Sequence, residues 1–223
     1  MPDRGEFERE LARRIGVLER RYMSAIRKLV ERNIEPDPAA IPPSLWEEMR
    51  DELAALVSAI IARAAMEYVR ENAQPVGVDL ADAATAIAAW ADEHGRTVSA
   101  SIVDNTRKLV ERAARSARTV KELMERIAVR FSPAHAEQVA ITEVTRAISR
   151  GGEELQRRLE MQNVRTVRRW LTAEDERVCP VCAPMDHTTF ESGAWVRAGL
   201  ASGPPAHPRC RCWVVVEYVR DGG

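Results

Sequence analysis

The chain has 223 residues, 45% of them apolar and 30% charged, and no uncharged apolar run approaches the ~20 residues that a membrane span needs. This length fits one large domain or two small ones, is enough to bury a core, and excludes a disulfide-stapled miniprotein. The net charge of −1, from 33 Lys and Arg against 34 Asp and Glu, excludes a uniformly basic nucleic-acid coat. The N-terminal stretch from Met1 to Arg14 is charged throughout and has no apolar core, so no secretory signal peptide is expected and the protein is read as cytoplasmic at synthesis.

From the N-terminus, Phe7, Leu11, Ile15, Leu18, Tyr22, Ile26 and Leu29 alternate at spacings of three and four, which predicts an amphipathic helix over 6–33. Glu35, Pro36, Asp37, Pro38, Pro42 and Pro43 stop it, because proline lacks the helical donor and disfavours helix in the residue before it. Ser44 is read as the cap of a second helix reaching Asn72, closed by Pro75 and Gly77. A third runs from Asp79 to Ser116, with Gly95 as a possible kink or division. Thr119 caps a short helix carrying Val120, Leu123, Met124 and Ile127. Ser132 and Pro133 then read as cap and first residue of another, which Gly151 and Gly152 are expected to end.

Charge is uneven along these helices: residues 35–104 hold 4 basic and 13 acidic residues, whereas 105–170 hold 15 basic and 8 acidic. Such a division fits solvated helix faces and also leaves one end able to meet phosphate. From Val164 the texture changes. Val164, Thr166, Arg168 and Trp170 alternate, and the run from Cys212 to Tyr218 is strand-like. Between these stretches lie the other three cysteines, in a loop-rich segment with little apolar mass of its own.

Cys179-Pro180-Val181-Cys182 is a C-x-x-C knuckle, and 24 residues intervene before His207-Pro208-Arg209-Cys210-Arg211-Cys212. Two thiolates on one tight turn can converge on a Zn²⁺ at ~2.3 Å, and a second pair from a distant loop completes a tetrahedron. Five residues compete for four places: Cys179, Cys182, His207, Cys210 and Cys212, with Cys179, Cys182 and Cys210 weighted first. Disulfide pairing and free thiols are the alternatives, and the missing leader weighs against the disulfides. A closed site of this kind is structural, whereas a catalytic zinc keeps a position for water. Trp170 and Trp213 are expected to cover the site, and Asp175 and Arg177 to orient the knuckle.

These residues carry a resemblance. Ala140-Ile141-Thr142-Glu143-Val144-Thr145-Arg146-Ala147 is followed by Gly151, then by Trp170-Leu171-Thr172 and Asp175-Glu176-Arg177-Val178-Cys179-Pro180-Val181-Cys182. Pro204-Pro205-Ala206-His207-Pro208-Arg209-Cys210-Arg211-Cys212 closes the series. The order resembles the phage Mu protein F-like minor head proteins, head-morphogenesis proteins of tailed phages, over roughly residues 85–216. His187 departs from the pattern, since the family commonly has Gly after the Asp; it would alter that turn or offer another ligand. The resemblance implies a capsid component present in few copies, associated with the portal protein and other capsid proteins, and acting in head assembly and in DNA packaging or ejection. Its implied location is the virion, at the capsid interior or portal vertex, after assembly in the host cytoplasm.

The sequence therefore predicts a mainly α protein: an N-terminal helical arm over 1–78, a helical part over 79–163, and a small C-terminal α+β module over 164–223 pinned by one zinc. No catalytic residue is assigned, because no H-E-x-x-H, G-x-S-x-G, P-loop or Rossmann pattern occurs. Two other readings stay open. One is a zinc-stabilised DNA-binding protein using Arg165, Arg168 and Arg169, with Arg209 and Arg211 nearby. The other is a zinc hydrolase with Glu174 or Asp186 as base.

Overall fold

The computed structural model describes residues 3–32, 36–73, 78–173, 175 and 178–219; Glu35, Pro75 and Gly77, read as helix terminators, lie outside them. The protein is mainly helical, with one small sheet near the C-terminus. Helix α1 spans Arg4–Val30, α2 Pro43–Asn72, α3 Leu80–Ser116, α4 Val120–Ile127, α5 Pro133–Met161 and α6 Ala194–Arg197. Strands β1 (Thr166–Leu171) and β2 (Trp213–Tyr218) pair antiparallel, with Trp170 opposite Val214 and Arg168 opposite Val216.

Several boundaries differ from the sequence reading, each for a physical reason. Helix α2 begins at Pro43 rather than after Ser44, since proline's missing N–H costs nothing in a first helical position. Helix α3 runs unbroken through Gly95. A Cβ there would strike the Ser58 hydroxyl and sit 3.0 Å from the Ala54 carbonyl oxygen, so Gly95 admits a neighbouring helix instead of bending its own. Gly151 and Gly152 likewise do not end α5, which continues to Met161. A Cβ on Gly151 would lie 2.6 Å from the Ala65 carbonyl oxygen, and one on Gly152 would touch Tyr68, Val214 and Val216. Glycine costs a helix only about 1 kcal/mol relative to alanine, so close packing overrides it. Thr119 caps α4 as expected, its hydroxyl accepting from Glu122 N at 3.2 Å.

The residues gather into two compact units, each drawn from separate stretches of chain. One comprises residues 9–59 and 92–137. Its core is built from Tyr22, Ile26, Val30, Trp46, Met49, Val103, Val110, Leu123 and Ile127, the apolar stripes of four helices. One polar tie is buried among them. Glu19, 2% exposed, meets His135 Nδ1 at 3.0 Å, while Arg130 lies against His135 and donates to Thr106 Oγ1 at 2.9 Å and to the Ile102 carbonyl at 3.0 Å.

The other unit comprises residues 1–8, 60–91 and 138–223. Here α5 packs its glycine face on α2 and on the inward side of the hairpin, which explains the small residues. The hairpin is tied to α2 by two tyrosines: Tyr68 Oη accepts from Val216 N at 3.1 Å, and Tyr218 Oη donates to the Asn72 carbonyl at 2.9 Å. Period-two burial along β1 places Thr166, Arg168 and Trp170 inward. Beyond the hairpin a second, aromatic and sulfur-rich core holds Trp170, Trp195, Met185, Val214 and three cysteines.

Candidate metal centre

The knuckle is made by backbone geometry. Cys182 N donates to the Cys179 carbonyl at 3.0 Å and approaches its sulfur at 3.4 Å, and Ala183 N donates to the same carbonyl. A 3-10 turn over Ala183–Met185, with Pro184 inside it, then carries the chain away. This places both knuckle sulfurs on one side, as the C-x-x-C spacing requires. His207 is oriented by its other nitrogen: Nδ1 lies 2.8 Å from the Pro208 carbonyl, which accepts its proton and leaves Nε2 bare toward the sulfurs.

Nε2 of His207 lies 3.1 Å from Cys179 Sγ and 3.4 Å from Cys182 Sγ, and the Cys182 and Cys210 sulfurs are 3.8 Å apart. Among the described residues, two overlapping groups have ligand atoms within 4.8 Å of one another: Cys179, Cys182 and His207, and Cys182, Cys210 and Cys212. All five predicted residues are thus brought together, with Cys182 shared. These groups could hold a metal ion. Cys182, Cys210 and Cys212 are buried, Cys179 is half-buried, and all four stand as free thiols.

Burial makes the set electrostatically demanding. Hydrogen bonding with Cys212 pulls the Cys210 thiol down to about 5. Burial, and then the charge on Cys210, push Cys182 up to about 12, and hydrogen bonding to Cys210 together with burial raises Cys212 further. Burial opposes ionisation of Cys179, but hydrogen bonds from Cys182 and Val181 and the charge on His207 together outweigh it and hold the thiol below its usual value. Burial and mutual repulsion oppose joint ionisation of these crowded sulfurs, and a divalent cation among them would relieve both. Cys179, Cys182, His207 and Cys212, with Ala173, Val178, Arg209 and Arg211, line a cavity of about 30 Å³, room for an ion or one water.

Three hydroxyls on one face of α5 hold the second ligand loop. Ser149 Oγ donates to the Pro204 carbonyl at 2.6 Å, Thr145 Oγ1 donates to the Cys210 carbonyl at 3.0 Å, and Thr142 Oγ1 accepts from Arg209 N at 3.1 Å. Spacings of three and four put these residues in one row. Sequence reading quoted Thr142 and Thr145 but gave neither this role, and passed over Ser149. Glu143 is buried with its carboxylate 3.6 Å from Arg146. Arg211 Nη2 donates to both carboxylate oxygens of Asp175, at 2.6 and 2.7 Å, tying the two ligand segments; Arg177 lies outside the described residues.

Trp170 is fully buried over the sulfurs, whereas Trp213 is only half-buried on the other side of the hairpin. Trp195, which sequence reading missed, completes the cover: it stands edge-on to Trp170 at 5.5 Å and to Phe190 at 5.8 Å, and its Nε1 donates to Thr188 Oγ1. Its one sequence signal is a large aromatic inside a Ser/Gly-rich loop. His187 does not join either ligand group; its φ of 56° is a left-handed turn conformation in which glycine is the unstrained residue.

Two other expectations meet the geometry badly. Arg168, read as a DNA contact, is 5% exposed, faces inward on β1 and stacks over Phe190 at 4.3 Å. Burial lowers its pKa. Arg169 is held by both oxygens of Glu217 at 2.8 Å and donates to the His187 carbonyl, and Arg165 is also engaged. Arg168 is therefore a buried structural residue rather than a surface contact, while Arg165 is exposed. Asp186, a possible hydrolytic base, spends Oδ1 on Thr172 N at 2.8 Å, and Glu174 lies outside the described residues. No described helix is long and apolar enough to cross a membrane.

Fold and site together define a mainly helical protein whose small two-stranded module is gathered around a Cys/His cluster. Residues 104–215 match the family model described as Phage Mu protein F like protein, half of the chain, and the chain belongs to that family. No curated protein and no solved structure matches it. The matched region holds all five Cys/His residues and the hydroxyl row of α5, while α1 and α2 lie outside it.

Proposed function

We propose that this protein is a structural, non-enzymatic minor component of a tailed-phage head, bound to the portal and acting in capsid assembly and in DNA packaging or ejection. Family membership carries this reading. The thiol-rich Cys/His set supports a structural rather than a hydrolytic centre, because four protein ligands leave no open position for water. Its partners are then the portal and other capsid proteins, met in the host cytoplasm and retained in the virion. Co-expression with the portal and major capsid proteins of the same genome tests this: the protein is expected in purified heads at a few copies each. Its absence from heads, and from any complex with the portal, overturns the reading.

The centre is proposed to hold one Zn²⁺ through Cys179, Cys182, Cys210 and His207. Two thiolates on a tetrahedral zinc at ~2.3 Å stand about 3.8 Å apart, which is the Cys182–Cys210 separation. When bound, the ion supplies a four-point cross-link that replaces missing apolar mass. Cys212 is the fifth sulfur, placed beside the buried indole N–H of Trp170. The 1–78, 79–163 and 164–223 division is kept as a proposal about sequence modules, since the zinc ligands all fall in the last. Elemental analysis in reducing buffer tests the centre. About one zinc per chain, with thiols unreactive until chelation, is expected; no zinc and four reactive thiols overturn it.

A further inference from the structure

The ligand loop is gripped from a part of the chain far outside the family match. Arg4, in the first turn of α1, donates through Nη1 to the carbonyls of Arg211 at 3.0 Å and Cys212 at 3.2 Å, and through Nη2 to the Cys210 carbonyl at 3.2 Å. One guanidinium thus spans three consecutive carbonyls of the segment that carries Cys210 and Cys212. The planar fork of arginine suits this task and the point charge of lysine does not. Arg4 is held in turn: its Nε pairs with Glu8, and its side chain is 16% exposed. Phe7, one turn along, lies under the Arg63 guanidinium at 5.5 Å. The Cys210 carbonyl receives the Thr145 hydroxyl as well, so the loop is fixed from two elements.

We infer that Arg4 is a positioning residue for the metal centre, and that docking of residues 3–8 and metal retention reinforce each other. The guanidinium fixes the carbonyls, which fix the direction of the Cys210 and Cys212 side chains; it also places a positive charge beside a cluster that gathers thiolates. Linkage makes the effect reciprocal, so loss of the ion loosens the hold on Arg4. The inference rests on the reading of the cluster as a zinc centre.

Zinc-loaded full-length wild type, R4K and R4A are mixed with a chromophoric chelator, and release is followed by absorbance. R4A is expected to release zinc about tenfold faster or more, from loss of charge-assisted hydrogen bonds, with R4K between it and wild type. Trypsin supplies a second readout without substitution, because cleavage after Arg4 requires the guanidinium to leave the loop. In wild type, loss of the first four residues, read by intact mass, is expected to be slow with zinc bound and fast after chelation. Equal release from the three proteins, or cleavage after Arg4 at one rate with and without zinc, overturns the inference while leaving the zinc centre standing. A protein that takes up no zinc overturns both.

Discussion

His207 and Cys212 sit at the same cluster but do different things there. His207 approaches both knuckle sulfurs, whereas Cys212 groups with Cys182 and Cys210 against the tryptophan cover. The expected outcome is that H207A lowers zinc affinity by on the order of 10–100-fold or more, while C212S retains one zinc per chain; chelator competition separates the two. Gly151 makes a different residue-scale test. A Cβ there meets backbone, the Ala65 carbonyl oxygen at 2.6 Å, which cannot swing aside as a side chain would. G151A is expected to cost about 1–3 kcal/mol in urea unfolding despite alanine's better helix propensity. These two sites also show what a sequence discloses. Cysteine and histidine announce a candidate ligand set because ligand chemistry depends on residue type and spacing. A glycine reads the same whether it ends a helix or admits a neighbour, and only the packed partner distinguishes the two.

Helix α5 is the element on which the Cys/His module is assembled. One face carries the hydroxyl row and the glycines; its last turns carry Glu154, whose side chain is 1% exposed between Arg157 and Arg158. Burial alone would push the Glu154 carboxyl up, but hydrogen bonds from the two arginines outweigh it and hold the group below the usual carboxylate range. A depressed folded pKa contributes stability above the unfolded value and loses it as pH falls through the folded one. Wild type should therefore lose stability on acidification below about pH 4.5 faster than E154Q does, and E154Q should be less stable by about 1–3 kcal/mol at pH 7. Urea titrations at both pH values measure this. Apolar periodicity disclosed the helices themselves, including the cap at Thr119 and the start at Pro133. The ties that fix them, Thr145 to Cys210 or Tyr68 to Val216, join residues far apart in sequence and leave no periodic trace.

At the scale of the whole molecule, the Cys/His cluster belongs to a unit whose second core is small, seven buried residues of which three are cysteines. Metal removal is expected to flatten the near-ultraviolet circular dichroism of Trp170 and Trp195, while far-ultraviolet helix signal from the remaining chain persists; the two signals recorded during one chelator titration check this. A free-energy change of RT ln(1 + [L]/Kd) sets the accompanying loss of thermal stability.

That same unit draws on residues 1–8, 60–91 and 138–223, whereas the other needs nothing beyond residue 137. Synthesis proceeds from the N-terminus, so the two cannot be completed in the same order in which their first residues emerge. The whole sequence of the unit holding residues 9–59 and 92–137 is translated before Cys179. Arg4 must wait for Cys210, Arg211 and Cys212, which are translated 206 to 208 residues after it. The Cys/His cluster then closes after the other unit's sequence is complete, and a nascent chain stalled before its second ligand loop would expose the N-terminal turn that the folded protein tucks away.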